Sequence, residues 1–556
     1  MNSNTKQVLE KINSMKSDEA IESLLSILKS SETWEYKLKA VDLLIKFQDD
    51  QKIPFQEIRK VFLEDKHPQL RIAIIRLLTI LYKNDGIEFF KGQYRSCNDG
   101  TVRKNLIEAV GRYDINNSTS FFIEALNDAN IDAKKLAINY LGKKGNKDAL
   151  VPLIDLLHFR NIEIYNFLIE SIVRLGKKGH IKIINEYIET EDSNIKREIP
   201  VILGKIGNKE SESILILLLK DEIPLVRKNA VKALEKIIEL RNIKNLLDIL
   251  NDPDIEVRKQ TIRVLGNVGS KRAIKPLLEN LKEKDIKVRN LTRNALYKIL
   301  SNSKNYEVVY EVINGRNLNA RKEAIKLVGM LKDNNSIDLL MNTFKSKVAS
   351  IRNSAYKSVL RILDKNTDEL IISGLTDKSW QIRMYCTKIL GEIGVPSTIV
   401  SILNLIEDEH RSVRKAAIGS LINFESDRII YLAKKAIKSS NWKTRRAGVK
   451  LLIRIGGDES INSLISCLND QDIYIKSWAA MALGKLKNID SIEPFISLLN
   501  ESDEKIRFSA VKALGEIGNK DAIQHLIEIL GDDNWDFRKE VENALNKINP
   551  DWMKDL

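Results

Sequence analysis

A basic residue returns every 31 positions along most of this chain, and a single phrase is rewritten around it. Its clearest copy is EKIRFSAVKALGEIG, beginning at Glu504. There Arg507 is followed by Ala510, by the pair Ala513 and Leu514, by Gly515 and by Gly518. The phrase recurs as EVRKQTIRVLGNVG from Glu256, QIRMYCTKILGEIG from Gln381 and YIKSWAAMALGKLK from Tyr474. From Arg103 to Arg538 every step is 31 residues except one of 32, between Arg289 and Arg321. Lys37 and Arg71 extend the series towards the start with steps of 34 and 32, and Tyr165 holds the one place where no cation stands. That makes seventeen copies. A period of this size, held this long, belongs to a stacked array of small units and excludes a fold built around one central core.

One period shows why. In NDPDIEVRKQTIRVLGNVGSKRAIKPLLENLKE, from Asn251, the segment Asp252-Pro253-Asp254 reads as a turn and an acidic helix start. Val257, Thr261, Val264, Leu265 and Val268 follow at helical spacing. Gly269 comes just after the last of them, where a helix terminator belongs. A second helix is expected from about Arg272, with Ile274, Leu277, Leu278 and Leu281 on its inner face. Neither helix can bury its apolar stripe alone, so neighbouring units must supply the cover. The glycine eight residues past the ladder position recurs at Gly111, Gly142, Gly204, Gly266, Gly329, Gly391, Gly484 and Gly515. A mid-helix glycine costs roughly 0.5–1 kcal/mol against alanine, so its recurrence predicts a close helix crossing at that place. The glycine eleven past it, at Gly145, Gly176, Gly207, Gly269, Gly394, Gly456 and Gly518, is expected to end each first helix.

The phrase D-x-x-V-R-x-x-A-x-x-A-L-G-x-I-G, followed by D-x-x-A-I-x-x-L-I-x-x-L, resembles the HEAT-like repeat of the phycobilisome-lyase type from about Asp18 to Ile548. The resemblance implies an all-α, right-handed α-solenoid of about seventeen 31-residue helix-turn-helix HEAT-like repeats. First helices would line its convex side and second helices its concave side, with each ladder Arg paired to an Asp of the adjacent repeat. The expected organisation is an N-terminal capping helix pair over 1–33, irregular first repeats over 34–99, regular repeats over 100–534, and a C-terminal capping helix and tail over 535–556. Pro200, inside IKREIPVILGKIG, predicts a kink or a shortened first turn.

Function is less strongly constrained. The net charge is +14, with residues 251–450 carrying +17 and residues 451–556 summing to −7. Such asymmetry points to nucleic acid or to an acidic partner, but the ladder cations have to be discounted first. Turn acids such as Asp252, Asp254, Asp377 and Asp532 are their expected partners. Basic residues one place later, Lys415 and Arg446 among them, are expected on a solvated convex face. Trp34, Trp380, Trp442 and Trp535 each stand three residues before a ladder position and are expected to pack across the turn between repeats; Trp478 belongs to no such series. Most concave positions form mixed polar sets, such as Ser397, Ser401 and Asn404. Two places differ. Arg241 and Lys244 stand beside Arg272 and Lys275 of the next repeat, and Arg428, Tyr431 and Lys435 form a second group. Clustered cations of this kind hold carboxylates or phosphates through charge-assisted hydrogen bonds. These seven are the candidate partner-binding residues.

No catalytic constellation is found. Cys97, Cys386 and Cys467 have no metal or redox spacing, and Cys386 falls where other repeats carry Ala355, Ala479 or Ala510. The deoxyhypusine hydroxylases are HEAT-repeat enzymes that place His-Glu pairs around two irons. None of His67, His158, His180, His410 and His525 is followed by Glu here. No apolar run reaches the ~18 residues of a membrane span, and MNSNTKQVLEKI has no leader-like apolar core, so the expected location is cytoplasmic. The expected function is a non-catalytic protein-protein interaction scaffold using the concave groove, without a cofactor, for a protein partner of acidic character. Two alternatives stand beside it. One is nucleic-acid binding through a basic concave patch, and the other is lyase-like activity or chaperoning of cofactor attachment.

Overall fold

In the computed structural model residues 3–47, 53–301, 306–363, 369–424 and 426–555 are described. Among them every regular element is a helix. The chain divides into two compact units, Met1–Pro276 and Leu277–Leu556. Each is an all-α solenoid of stacked helix pairs in which successive first helices pack side by side.

The first unit opens with the helices Ser3–Lys11 and Ser17–Lys29, then Trp34–Leu44 and Phe55–Glu64. Regular first helices follow, among them Gly100–Tyr113, Ile131–Lys144, Ser193–Ile206 and Ile255–Val268. In the second unit they include Leu318–Leu331, Trp380–Ile393, Arg411–Leu421, Trp442–Ile455, Ile473–Lys485, Glu504–Ile517 and Trp535–Ile548. Most are about four turns long. The residue four before the ladder position sets the start: Asp99, Asn130, Asp254, Asn441, Asp472 and Asp503 all accept backbone amides of the first turn through their side chains. These bonds satisfy donors that a helix start leaves unpaired.

Several second helices are short and tighten at both ends. In one repeat Leu240–Asn242 is a 3-10 turn, Ile243–Asp248 an α-helix and Ile249–Asn251 again 3-10. The tighter winding closes hydrogen bonds at termini that have too few residues for full α-turns. The helix Ser193–Ile206 runs unbroken through a buried Pro200, so the proline does not shorten it.

The recurring mid-helix glycine sits where two first helices cross. A Cβ on Gly391 would lie 2.2 Å from the Cβ of Ser420, and one on Gly515 would lie 2.9 Å from the Cα of Ala544. The partner serine tightens the same crossing, since Ser420 Oγ donates to the Thr387 carbonyl at 2.9 Å and Ser171 Oγ to the Ile138 carbonyl at 2.9 Å. The terminating glycine takes the left-handed conformation at Gly269 (φ 71°). Two expected terminators behave otherwise. Gly145 ends its helix at φ −59°, and Gly176 stays helical at φ −58°. In the second case the sequence LGKKGH offers another glycine three residues later, and Gly179 (φ 95°) makes the turn in its place. Cys386 is fully buried with its thiol pushed up to about 12 by burial, as a packing residue should be.

Candidate binding site

The ladder cations are engaged inside the stack. Arg103 holds Asp128 through two bonds of 2.8 and 2.7 Å, and Arg227 holds Asp252 at 2.7 and 2.8 Å. Arg383 with Asp408 and Arg445 with Asp470 repeat the geometry in the second unit. In each of these rungs the acid stands 25 residues further on, in the next turn. It also accepts the backbone amide two residues past itself, as Asp408 does from His410 at 2.8 Å. The other guanidinium nitrogen reaches back to carbonyls of its own turn, as Arg383 Nη1 does to Asp377 and Lys378. Each rung therefore ties two turns together, and its charge is not offered to a ligand. Of the four turn acids expected as partners, Asp252 and Asp532 pair with Arg227 and Arg507. Asp254 instead caps its helix by accepting the Glu256 and Val257 amides, and Asp377 accepts the Ser379 amide.

The seven candidate residues are all exposed or half-exposed at the surface. Arg241 lies in the 3-10 turn Leu240–Asn242 and Lys244 one turn on, with Arg272 and Lys275 in the matching places of the following repeat. Arg272 Nη1 reaches the Leu240 carbonyl at 3.5 Å, which joins the two pairs into one patch. Arg241 also pairs with Glu239 at 2.7 Å. Arg428, Tyr431 and Lys435 lie on one face of the helix Ser426–Ala436, with Tyr431 65% exposed. The neighbouring Lys434 is held by Glu459 at 2.9 Å.

A third place emerges from the first helices. A cleft of about 680 Å³ opens between Arg411–Leu421, Trp442–Ile455 and Ile473–Lys485. Arg411, Arg414 and Lys415 form one wall. Lys443, Arg446, Lys450 and Arg454 line the cleft from the helix Trp442–Ile455. Trp442 and Trp478 complete the lining, and no carboxylate among the described residues takes part in it. The Arg446 guanidinium lies 3.9 Å from the centre of the Trp478 ring and 5.5 Å from that of Trp442. Lys450 sits 4.4 Å from the Trp478 ring. Burial lowers the Lys450 ammonium from its ordinary value, and the charges of Arg446, Arg414 and Arg411 push it the same way. In the adjoining turn Asp470 pairs with Arg445, and Asp472 accepts the Tyr474 and Ile475 amides.

Two local departures from the repeat build this cleft. The rung that would hold Arg414 has Ser439 in the acid's place. Ser439 Oγ still accepts the amide of Asn441, at 3.2 Å, so the turn survives without the charge. Arg414 keeps its bonds to the Asp408 and Glu409 carbonyls. The second departure concerns Trp442. Trp34 and Trp380 stack flat on the imidazole that begins the next first helix, His67 at 3.9 Å and His410 at 3.7 Å, both at 8°. The equivalent residue after Trp442 is Asp472, and Trp442 is left 44% exposed.

A family model described as HEAT repeats matches residues 243–314, 367–452, 399–483 and 461–546. The matched segments are HEAT repeats. No curated protein matches the chain. Among solved structures it is similar to the karyopherin Kap121p bound to the SUMO protease Ulp1p, at 11% identity and a TM-score of 0.36, over 99% of this chain and 87% of that one. It is also similar to importin beta in an ammonium sulfate condition, at 9% identity and a TM-score of 0.35, over 98% and 86% of the two chains. Kap121p bound to Pho4p gives 12% identity and a TM-score of 0.33, over 100% and 86%.

HEAT register explains why the cleft escapes a reading by pattern. Arg446 and Lys415 hold the place one past the ladder, where a HEAT first helix faces solvent, so each taken alone reads as solvated surface. Trp478 stands two past its ladder residue and matches no series. The signal that was present is the spacing Trp442, Arg446, Lys450, which puts three side chains on one helix face, together with the missing acid at Ser439.

Proposed function

We propose that this protein is a non-catalytic scaffold that binds an acidic protein partner through its second-helix face. The observation that carries this reading is the Arg241, Lys244, Arg272 and Lys275 patch. Its four surface cations come from two successive repeats, with Glu239 bound to Arg241 at its edge. The ladder beneath fixes the spacing of those repeats, so the cations are presented in a preset arrangement. Presenting charges already in place lowers the ordering cost of association, and matched charge gives fast, selective encounter.

The test compares the wild-type chain with an Arg272→Glu, Lys275→Glu variant in affinity capture from host extract, with and without nuclease. A defined protein retained after nuclease by wild type and lost by the variant supports the reading. Equal capture by both refutes the patch, and material that disappears with nuclease refutes the protein partner.

A further inference from the structure

The Trp442 cleft has a different chemistry from the second-helix patches. It is concave, it combines indole faces with guanidinium groups, and it concentrates positive charge with no carboxylate among the described residues of its lining. Its volume of about 680 Å³ lies within the range of small-ligand sites. The charge is unbalanced by construction, because Ser439 withholds the acid that would have paired with Arg414. The aromatic surface is free by construction as well, because Asp472 stands where a stacking His410 or His67 is found in other repeats. The Nε of Arg446 is shut off from solvent and has no hydrogen-bond partner among the described residues, while its guanidinium lies 3.9 Å from the centre of the Trp478 ring, 5.5 Å from that of Trp442 and 5.4 Å from that of Tyr474. Carboxylates alone would use the cations and leave the rings idle; an apolar ligand would use the rings and leave the cations uncompensated. A group carrying both a planar ring and a phosphate uses both.

We propose that this cleft binds a nucleotide unit, with phosphate held by Arg411, Arg414 and Lys450 and the base stacked against Trp442 beside the Arg446 guanidinium. Bases stack on aromatic rings and on guanidinium planes alike, and arginine pairs with phosphate through two parallel bonds. The same chemistry can be supplied by a free nucleotide or by a segment of single-stranded nucleic acid. The site lies on the first helices and does not depend on the second-helix patch.

The experiment titrates the full-length protein by calorimetry with ADP, with a twelve-residue oligothymidylate, with inorganic phosphate and with a glutamate-rich peptide, at low and moderate salt. Binding of ADP or of the oligonucleotide is expected, weakened about tenfold or more by Trp442→Ala and by Arg446→Ala, and unchanged by Arg272→Glu with Lys275→Glu. Lys450→Gln serves as a further variant that keeps both indoles in place. If the oligonucleotide binds more tightly than ADP and falls steeply with salt, a strand is the source; if ADP binds at least as well, a free nucleotide is. The proposal is overturned if neither binds, if phosphate alone binds as well as ADP, if the glutamate-rich peptide displaces both, or if the variants bind like wild type.

Discussion

Two turns of the second unit, 62 residues apart in register, have the same backbone plan and opposite surfaces. At the first, Trp380 lies flat on His410, Arg383 closes on Asp408, and the turn is sealed. At the second, Trp442 has Asp472 instead of an imidazole and stays exposed, although Arg445 still closes on Asp470. The neighbouring rung is then left open at Arg414, where Ser439 replaces the acid. Two substitutions that leave the helices intact thus turn a sealed joint into a cationic cleft. In a repeat array the scaffold tolerates such changes because each unit depends on its nearest neighbours alone.

The largest effect should come from opening the sealed joint. Asp408→Ala removes the two-bond partner of the buried Arg383 guanidinium and leaves it only the exposed Glu409 carboxylate at 3.0 Å, and loss of one partner from a buried pair costs about 3 kcal/mol. A urea melt read by circular dichroism checks it; a loss under about 1 kcal/mol, no more than an exposed pair contributes, would mean that the rung is not a structural tie. Acid supplies an independent measure of the same bond. Burial raises the Asp408 carboxyl, but hydrogen bonds from Arg383 and from the His410 amide outweigh it and hold the group below its ordinary value. Above the ordinary carboxylate range, near about pH 4, folded and unfolded chains are both ionised and the contribution is complete. As the pH falls, the unfolded chain takes the proton first, and stability is lost until the pH passes the folded value. Asp408→Asn should therefore flatten the acid limb of stability against pH, and an unchanged limb would show that other carboxylates set it.

Sequence and structure part company at the same two turns. The period, the acidic helix start, the small residue at Ala510 and the close crossing at Gly391 are legible because each is a local rule repeated many times, and repetition separates rule from accident. The rung partners were half legible: an acid near each turn is easy to see, but Asp252 and Asp254 differ by two residues, and only the direction of the side chain decides which meets Arg227 and which caps a helix. The Trp442 cleft was not legible as a site because it is made by exceptions. A serine in place of an acid and an aspartate in place of a histidine are ordinary changes when taken singly, and they gain meaning once the fold brings Arg411, Arg414, Arg446 and Lys450 around one space.

Closing the open rung is the converse experiment. Ser439 already accepts the Asn441 amide as Asp408 accepts that of His410, so Ser439→Asp can keep the turn while adding a carboxylate within the plan used for Arg383. The variant should gain up to about 1 kcal/mol, the upper end for a partly exposed pair, and should weaken anion binding in the cleft severalfold by engaging Arg414. A variant with unchanged melting and unchanged anion affinity would show that the missing acid has no bearing on the cleft.

The smallest effect on stability, and the cleanest test of the comparison, is Asp472→His. The aspartate accepts two amides, from Tyr474 at 2.8 Å and Ile475 at 3.3 Å, whereas His410 caps its helix through one bond of 3.2 Å to the Ser412 amide. Exchanging a strong cap for a weak one costs about 0.5–1 kcal/mol. A new stacked pair with Trp442 returns about 0.5–1.5 kcal/mol. The two nearly cancel, so the melting midpoint should move by no more than a few degrees. What must change is the exposure of Trp442: acrylamide quenching of the indole fluorescence should fall, and the reverse change, His410→Asp, should raise it by uncovering Trp380. Quenching that is unaffected in both directions would show that the residue at the helix start does not decide whether the indole is covered, and the contrast between the two turns would need another cause.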